Sequence, residues 1–311
     1  MIKNQTPLSA ARKFEREASK QISEKDRPLI HLTPMVGWMN DPNGFCYYQG
    51  EYHLFYQYHP YNTVWGPMHW GHAKSRDLLR WTYLPAALAP DTEADAGGCF
   101  SGTALPLEDG RLMLMYTGVQ PAGTNHKELQ AQCVAIGDGV DFQKLEQNPV
   151  ISGADLPKGY REHDFRDPKL WRGKDGKFYC AAGNRHEERQ GAVILMESED
   201  GANWHFVTEL DASRGELGRM WECPDYFELD GKKFLSVSPQ GLKREEFRFQ
   251  NIYQSGYFQV KEDGSVDERD FREWDVGFDF YAPQTFTDNS GRRLLIGWMG
   301  MPDAEDEYTN K

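Results

Sequence analysis

Three acidic side chains stand at matching places in this sequence of 311 residues. Asp41, Asp167 and Glu222 each lie 9 residues before a turn glycine, namely Gly50, Gly176 and Gly231. Two further segments repeat the spacing with Ser101 before Gly110 and Ala282 before Gly291. A fold that brings these five positions together gathers three carboxylates at one site. Like charges in a partly desolvated pocket repel, raise at least one carboxyl pKa and destabilise the fold, so a functional site is the economical explanation. Two chemistries use such a convergence: oxygen ligation of a cation such as Ca2+, and glycoside cleavage by an acid and a nucleophile. The company of Trp38, Trp65, Trp70, Trp221 and Trp298, with Asn40, Gln57, Ser101 and Arg166, favours the second. Flat apolar faces and hydrogen-bonding side chains suit a sugar, and a metal site needs neither.

Positioning these residues falls to a strand-and-turn architecture. Beyond Pro28 the chain consists of short runs of Tyr, Phe, Trp, Leu and Val separated by Gly, Asn-Pro and Asp-Gly. The Asp-Gly pairs at 109–110, 175–176, 200–201, 230–231 and 263–264 sit between candidate strands, as hairpin turns prefer. Each of the five segments runs as strand, turn, strand, and its turn glycine recurs every 55 to 66 residues. Second hairpins follow at 73–84 and 196–207. Four strands per unit and five units predict an all-β, five-bladed β-propeller over residues 31–311, with inner strands opening on one central funnel. Residues 1–30 form a separate N-terminal segment, helical from Leu8 to Ile22 and peripheral.

Composition narrows the partners. Lys plus Arg at 35 against Asp plus Glu at 48 leaves a net charge of −13, which disfavours nucleic acid. No apolar run approaches the roughly 20 residues of a bilayer-spanning helix, and residues 1–30 lack the apolar core of a secretory signal. The five cysteines are odd in number and form no C-x-x-C pair, which suggests neither a disulfide framework nor a zinc site. A cytoplasmic protein is expected, with a small-molecule sugar as partner, no nucleic acid, no membrane, no metal and no cofactor. Its oligomeric state is open.

Trp38-Met39-Asn40-Asp41-Pro42-Asn43-Gly44 resembles the sucrose-binding box of glycoside hydrolase family 32, the invertase and sucrose-6-phosphate hydrolase family. Phe100-Ser101-Gly102, Phe165-Arg166-Asp167-Pro168, Trp221-Glu222-Cys223-Pro224, Phe280-Tyr281-Ala282-Pro283-Gln284 and Gly297-Trp298-Met299 are similar, in order, to its other signature segments. The resemblance spans about residues 31–302 and itself implies a five-bladed propeller. It implies Asp41 as nucleophile, Glu222 as general acid/base and Asp167 as transition-state stabiliser. Around the same sugar it places Asn40, Gln57, Trp65, Phe100, Ser101, Arg166, Tyr281 and Trp298. The implied activity is that of a retaining β-fructofuranosidase on sucrose or its 6-phosphate, with acid and nucleophile about 5 to 5.5 Å apart. A fructosyltransferase, a fructan hydrolase and a noncatalytic sugar-binding propeller are the alternatives. The family's C-terminal β-sandwich is expected to be missing from this chain.

Local expectations follow. Arg166 and Asp167 are neighbours, and neighbours on a strand face opposite ways, so Arg166 should precede the strand if both reach the sugar. Its charge should then lower the Asp167 pKa. Trp221 should supply apolar cover to Glu222, and Trp38 and Trp65 are the better sugar platforms among tryptophans otherwise assigned to the core. Cys223 reads as a small strand filler, His69 and His72 as structural, Arg185 to Arg189 as a charged hairpin or rim loop, and Asp303 to Glu307 as a solvated loop.

Overall fold

In the computed structural model, which describes residues 6–124, 127–213 and 216–303, the aromatic and aliphatic runs fold into antiparallel strands. The first sheet consists of β1 (Trp38–Tyr48), β2 (Glu51–His59), β3 (His69–Ser75) and β4 (Trp81–Leu88), hydrogen-bonded in that order. The second holds β5 (Gly98–Pro106), β6 (Leu112–Gln120), β7 (Leu129–Gly137) and β8 (Phe142–Lys144). The third holds β9 (Arg166–Arg172), β10 (Phe178–His186), β11 (Gln190–Ser198) and β12 (His205–Ala212). The fourth holds β13 (Met220–Leu229), β14 (Lys232–Gln240), β15 (Gly256–Gln259) and β16 (Arg272–Glu273). Only a two-stranded sheet of β17 (Tyr281–Thr287) and β18 (Arg293–Trp298) follows among the described residues.

The expected five-bladed propeller is therefore corrected: among the described residues the all-β propeller has four four-stranded blades, and the fifth repeat contributes a hairpin. Glycine spacing detects only the inner hairpin of each repeat and carries no information about outer strands. The hairpin still closes the ring, because β17 packs against both β1 and β13, while β1, β5, β9 and β13 pack in succession.

Sheets stacked on both sides explain why strands such as Leu112–Gln120 are buried almost throughout instead of alternating. Between the first and second blades lie Phe55, Trp70, Leu88, Leu114 and Tyr116. Met115, Val134, Phe165 and Ile194 fill the next interface, and Val193, Trp221, Leu235 and Phe258 the one after. Each fully buried side chain of this size contributes roughly 1.5 to 3 kcal/mol.

The N-terminal helix α1 (Pro7–Ala18) is shorter than the expected 8–22. Thr6 caps it by accepting the Ser9 amide, and Pro7 starts it, where a missing N–H is harmless. It docks on the edge of the first blade: Glu15 Oε1 accepts from the Ala86 amide at 2.9 Å and Arg12 Nε donates to the Ala86 carbonyl at 2.8 Å.

Candidate active site

Each inner strand breaks its ladder at the funnel end in the same way. From Met39 to Pro42, β1 advances three residues while its partner advances two, from Tyr58 to Tyr56. The same extra residue occurs between Cys99 and Gly102, Arg166 and Lys169, Glu222 and Asp225, and Tyr281 and Gln284. Such a bulge re-aims side chains and lets consecutive residues face one side. Asp167, Cys223 and Ala282 occupy its second position with φ of 62°, 47° and 50°. Left-handed backbone costs a non-glycine residue roughly 1 to 2 kcal/mol and persists only where the surroundings hold it. Pro168, Pro224 and Pro283, which lack an amide donor, fill the third position.

This register corrects two expectations. Arg166 does not precede the strand but is the first residue of β9; the bulge lets it and Asp167 share the cavity. Nor do the carboxylates occupy equivalent positions: Glu222 aligns with Arg166 and Tyr281, Asp167 with Cys223, and Asp41 with Ser101. Equal spacing from the glycines hid this because loop lengths differ and β1 carries a second bulge between Asn43 and Cys46. Gly231 ends a loop of two residues between Leu229 and Lys232, whereas Gly176 lies inside a longer one between Arg172 and Phe178.

A cavity of about 690 Å³ opens where the inner strands begin; the three acids and the eight residues expected around the sugar line it, whereas Trp70 and Trp221 do not. Asp41 Oδ2 accepts from Ser101 Oγ at 2.7 Å and Oδ1 from Asn40 Nδ2 at 3.1 Å. Trp38 Nε1 orients Asn40 by donating to its Oδ1 at 2.8 Å. Glu222 Oε1 accepts from Arg166 Nε at 3.0 Å and Nη2 at 2.9 Å, and Oε2 from the Tyr281 hydroxyl at 2.5 Å. Asp167 Oδ2 accepts from the Cys223 amide at 3.0 Å, and the Asp167 amide donates to Thr117 Oγ1 at 2.9 Å.

Burial is the first cause of the Asp41 carboxyl's upward shift, opposed by Ser101 and Asn40 and reinforced by Glu222. Asp167 is pushed up to about 7, again by burial first, with Arg166 opposing and Glu222 and Asp41 adding. Arg166 does pull the Asp167 pKa down, as expected, but desolvation outweighs that attraction and the net shift is upward; the Arg166 guanidinium donates to Glu222. Cys223 is more than filler, since its Sγ lies 3.5 Å from Asp167 Oδ2 and 3.7 Å from Asp41 Oδ2. Burial and these carboxylates hold the thiol protonated, which disqualifies it as a nucleophile.

Aromatic walls frame the acids. Trp38 and Trp298 stand 6.1 Å apart between ring centroids, and Trp65, 55% exposed, meets Phe100 edge-on at 6.0 Å. Gln57 Nε2 anchors to the Cys99 carbonyl at 3.0 Å. Trp221 covers no part of the cavity; it is buried between the third and fourth blades, bonded to the Leu217 carbonyl, and Tyr281 stands over Glu222 instead. Neighbours on a strand alternate, so Trp221 turns away from Glu222.

Several cavity residues went unnoticed in the sequence, among them Gln130, Tyr253, Glu128 and Asp164. Asp303 begins the acidic run taken for a solvated loop, but accepts from the Tyr253 hydroxyl at 2.5 Å; residues 304–307 lie outside the described residues. Asp164, just before the Arg166 motif, was the one with a nearby signal. Outside the cavity lining, His72 Nε2 meets His53 Nδ1 at 3.0 Å and His69 Nδ1 the Pro67 carbonyl at 2.9 Å. Among the described residues no group of three or more His, Cys, Asp or Glu is arranged to hold a metal ion.

Residues 31–311 match the family described as "Glycosyl hydrolases family 32 N-terminal domain". A sucrose-6-phosphate hydrolase of Zymomonas mobilis is 42% identical, with 94% of this chain and 59% of the relative aligned. A raffinose invertase of Escherichia coli is 40% identical, over 96% of this chain and 62% of the relative. A mutant GH32 beta-fructofuranosidase of Bombyx mori, solved in complex with sucrose, superposes with a TM-score of 0.87 at 43% identity, covering 97% of this chain and 64% of that one. The chain thus spans about three fifths of the length of these relatives.

Proposed function

Since this chain belongs to glycosyl hydrolase family 32, we propose that it is the catalytic part of a retaining β-fructofuranosidase. Its substrates are β-fructofuranosides of the sucrose type, and it acts in a reducing compartment such as the cytoplasm. The observation that carries this is the meeting of Asp41, from the first blade, with Glu222, from the fourth, in one aromatic-walled cavity. All five cysteines being free and buried supports the compartment.

Asp41 attacks the anomeric C2 of the fructosyl unit while Glu222 delivers its proton to the departing glycosidic oxygen. Donors on both Asp41 oxygens aim the carboxylate and offset part of the burial that opposes its ionisation. Once the aglycone has left, Glu222 takes a proton from water, and the hydroxide released attacks C2 to free fructose with its configuration retained. Asp167 accepts from fructosyl hydroxyls and tightens those bonds as positive charge grows on the ring. Arg166 and Tyr281 hold Glu222 in place on both oxygens.

The test is fructose release from sucrose, sucrose-6-phosphate and inulin by the purified chain, with the anomer identified by NMR before mutarotation. Asp41→Asn and Glu222→Gln are each expected to lower kcat by orders of magnitude, roughly a hundredfold or more. No fructose from any substrate by a folded chain, or an inverted first product, counts against the proposal.

A further inference from the structure

The charge around Glu222 bears on which sugar the cavity accepts. We propose that it selects an uncharged aglycone, so that sucrose and other neutral β-fructofuranosides are its substrates in preference to sucrose-6-phosphate. This rests on the β-fructofuranosidase activity proposed above, and narrows it.

The aglycone must lie against Glu222, because that carboxyl protonates the oxygen it leaves on. On one side of Glu222 the Tyr281 ring lies 6.2 Å from that of Tyr253, whose hydroxyl donates to Asp303. On the other, Arg166 Nη1 donates to Gln130 and stands 3.6 Å from Asp164 Oδ1, while Gln130 Nε2 donates to Glu128 at 3.4 Å. Asp303, Glu128 and Asp164 all line the cavity. Together with Asp41, Asp167 and Glu222 they make six carboxyl groups against one guanidinium and the imidazole of His163, whose Nδ1 is taken up by the Glu128 carbonyl at 2.8 Å, among its described lining residues, and no lysine. That guanidinium is already engaged by Glu222, Gln130 and Asp164. Arg219 reaches the Tyr253 hydroxyl at 3.4 Å but is not part of the lining.

Sugar hydroxyls donate well to carboxylates, so this rim suits a neutral polyol. A phosphate dianion wants cations or clustered amide donors, and here meets negative charge in a partly desolvated cavity. The three acids outside the catalytic set therefore act as a filter on the aglycone.

Initial rates on sucrose and sucrose-6-phosphate, at low and at raised salt, test this on the full chain. Sucrose is expected to have the higher kcat/KM by roughly tenfold or more at low salt, the ratio shrinking as salt screens the repulsion. Asp303→Asn should raise the sucrose-6-phosphate value several-fold relative to sucrose. Equal or better turnover of the phosphorylated sugar overturns the proposal, and its loss in Arg219→Ala would then identify the phosphate's partner. A folded chain that hydrolyses neither sugar refutes the activity itself. Binding followed by thermal shift then still decides the selection, which is overturned if sucrose-6-phosphate raises Tm more than sucrose.

Discussion

Asp167 shows how burial and charge compete at a single residue. Its folded carboxyl titrates near about 7 against an ordinary 3.8, with burial as the leading cause. At a pH below both values the group is protonated in folded and unfolded chains alike, and it imposes no penalty. As pH rises from about 4 towards 7 the unfolded chain releases the proton first, so the folded state holds more protons and loses stability. Above about 7 the folded protein carries the buried charge in full. Asp167→Asn should therefore melt above the wild type near about pH 8, with the difference vanishing near about pH 4, while losing hydrolysis by orders of magnitude. Thermal melts at the two pH values check this; a variant less stable at the higher pH would mean that the Cys223 amide and Arg166 more than repay the ionised carboxylate's desolvation.

At the scale of elements, the bulge matters more than the strand. All five inner strands insert one extra residue at the funnel end, and β1, β5 and β9 thereby present two consecutive side chains to the cavity: Asn40 and Asp41, Phe100 and Ser101, Arg166 and Asp167. Close blade contact makes that geometry unforgiving. Gly183 pairs with Arg166 across β9 and β10, and a Cβ there would stand 2.2 Å from the Trp221 carbonyl oxygen of the next blade, one residue before Glu222. Since backbone must move, Gly183→Ala is expected to lose about 1 to 3 kcal/mol of stability. Because displacement of a catalytic group by about 1 Å can cost a hundredfold, kcat should also fall by at least roughly tenfold. Denaturant midpoints and initial rates measure both; wild-type values for the two would show that the blade interface has slack.

Over the whole molecule, ring closure depends on a buried polar knot in the channel. Lys169 of β9 donates to Asp225 Oδ2 of β13 at 3.1 Å and to the Thr285 carbonyl of β17. The same Asp225 oxygen accepts from the Thr285 amide at 2.6 Å and its hydroxyl at 2.8 Å. The hairpin that stands in for a fifth blade is thus tied to the third and fourth blades. Lys169→Met removes the cation that bonds the buried carboxylate directly, leaving only Arg293, which is held on Thr285 Oγ1, and should cost about 3 to 5 kcal/mol. Adding Asp225→Asn should recover most of that loss in urea melts. A single variant costing less than about 1 kcal/mol would show that the ring closes by apolar packing alone.

The amino-acid sequence by itself determined the inner hairpins and the motif residues of the cavity, because turn chemistry, strand propensity and motif residues express themselves within a few neighbouring positions. Asp41, Asp167 and Glu222 were recoverable in that way, and so were Asn40, Ser101 and Arg166. What only the tertiary structure decided was how many strands each repeat builds, which way Trp221 turns and how the bulges set the acids out of line. It also decided that Asp167 keeps its proton to about 7 and that Tyr253 brings Asp303 to the rim. These depend on desolvation and packing between residues distant in the chain, and no local pattern reports a distance that arises only when the ring closes.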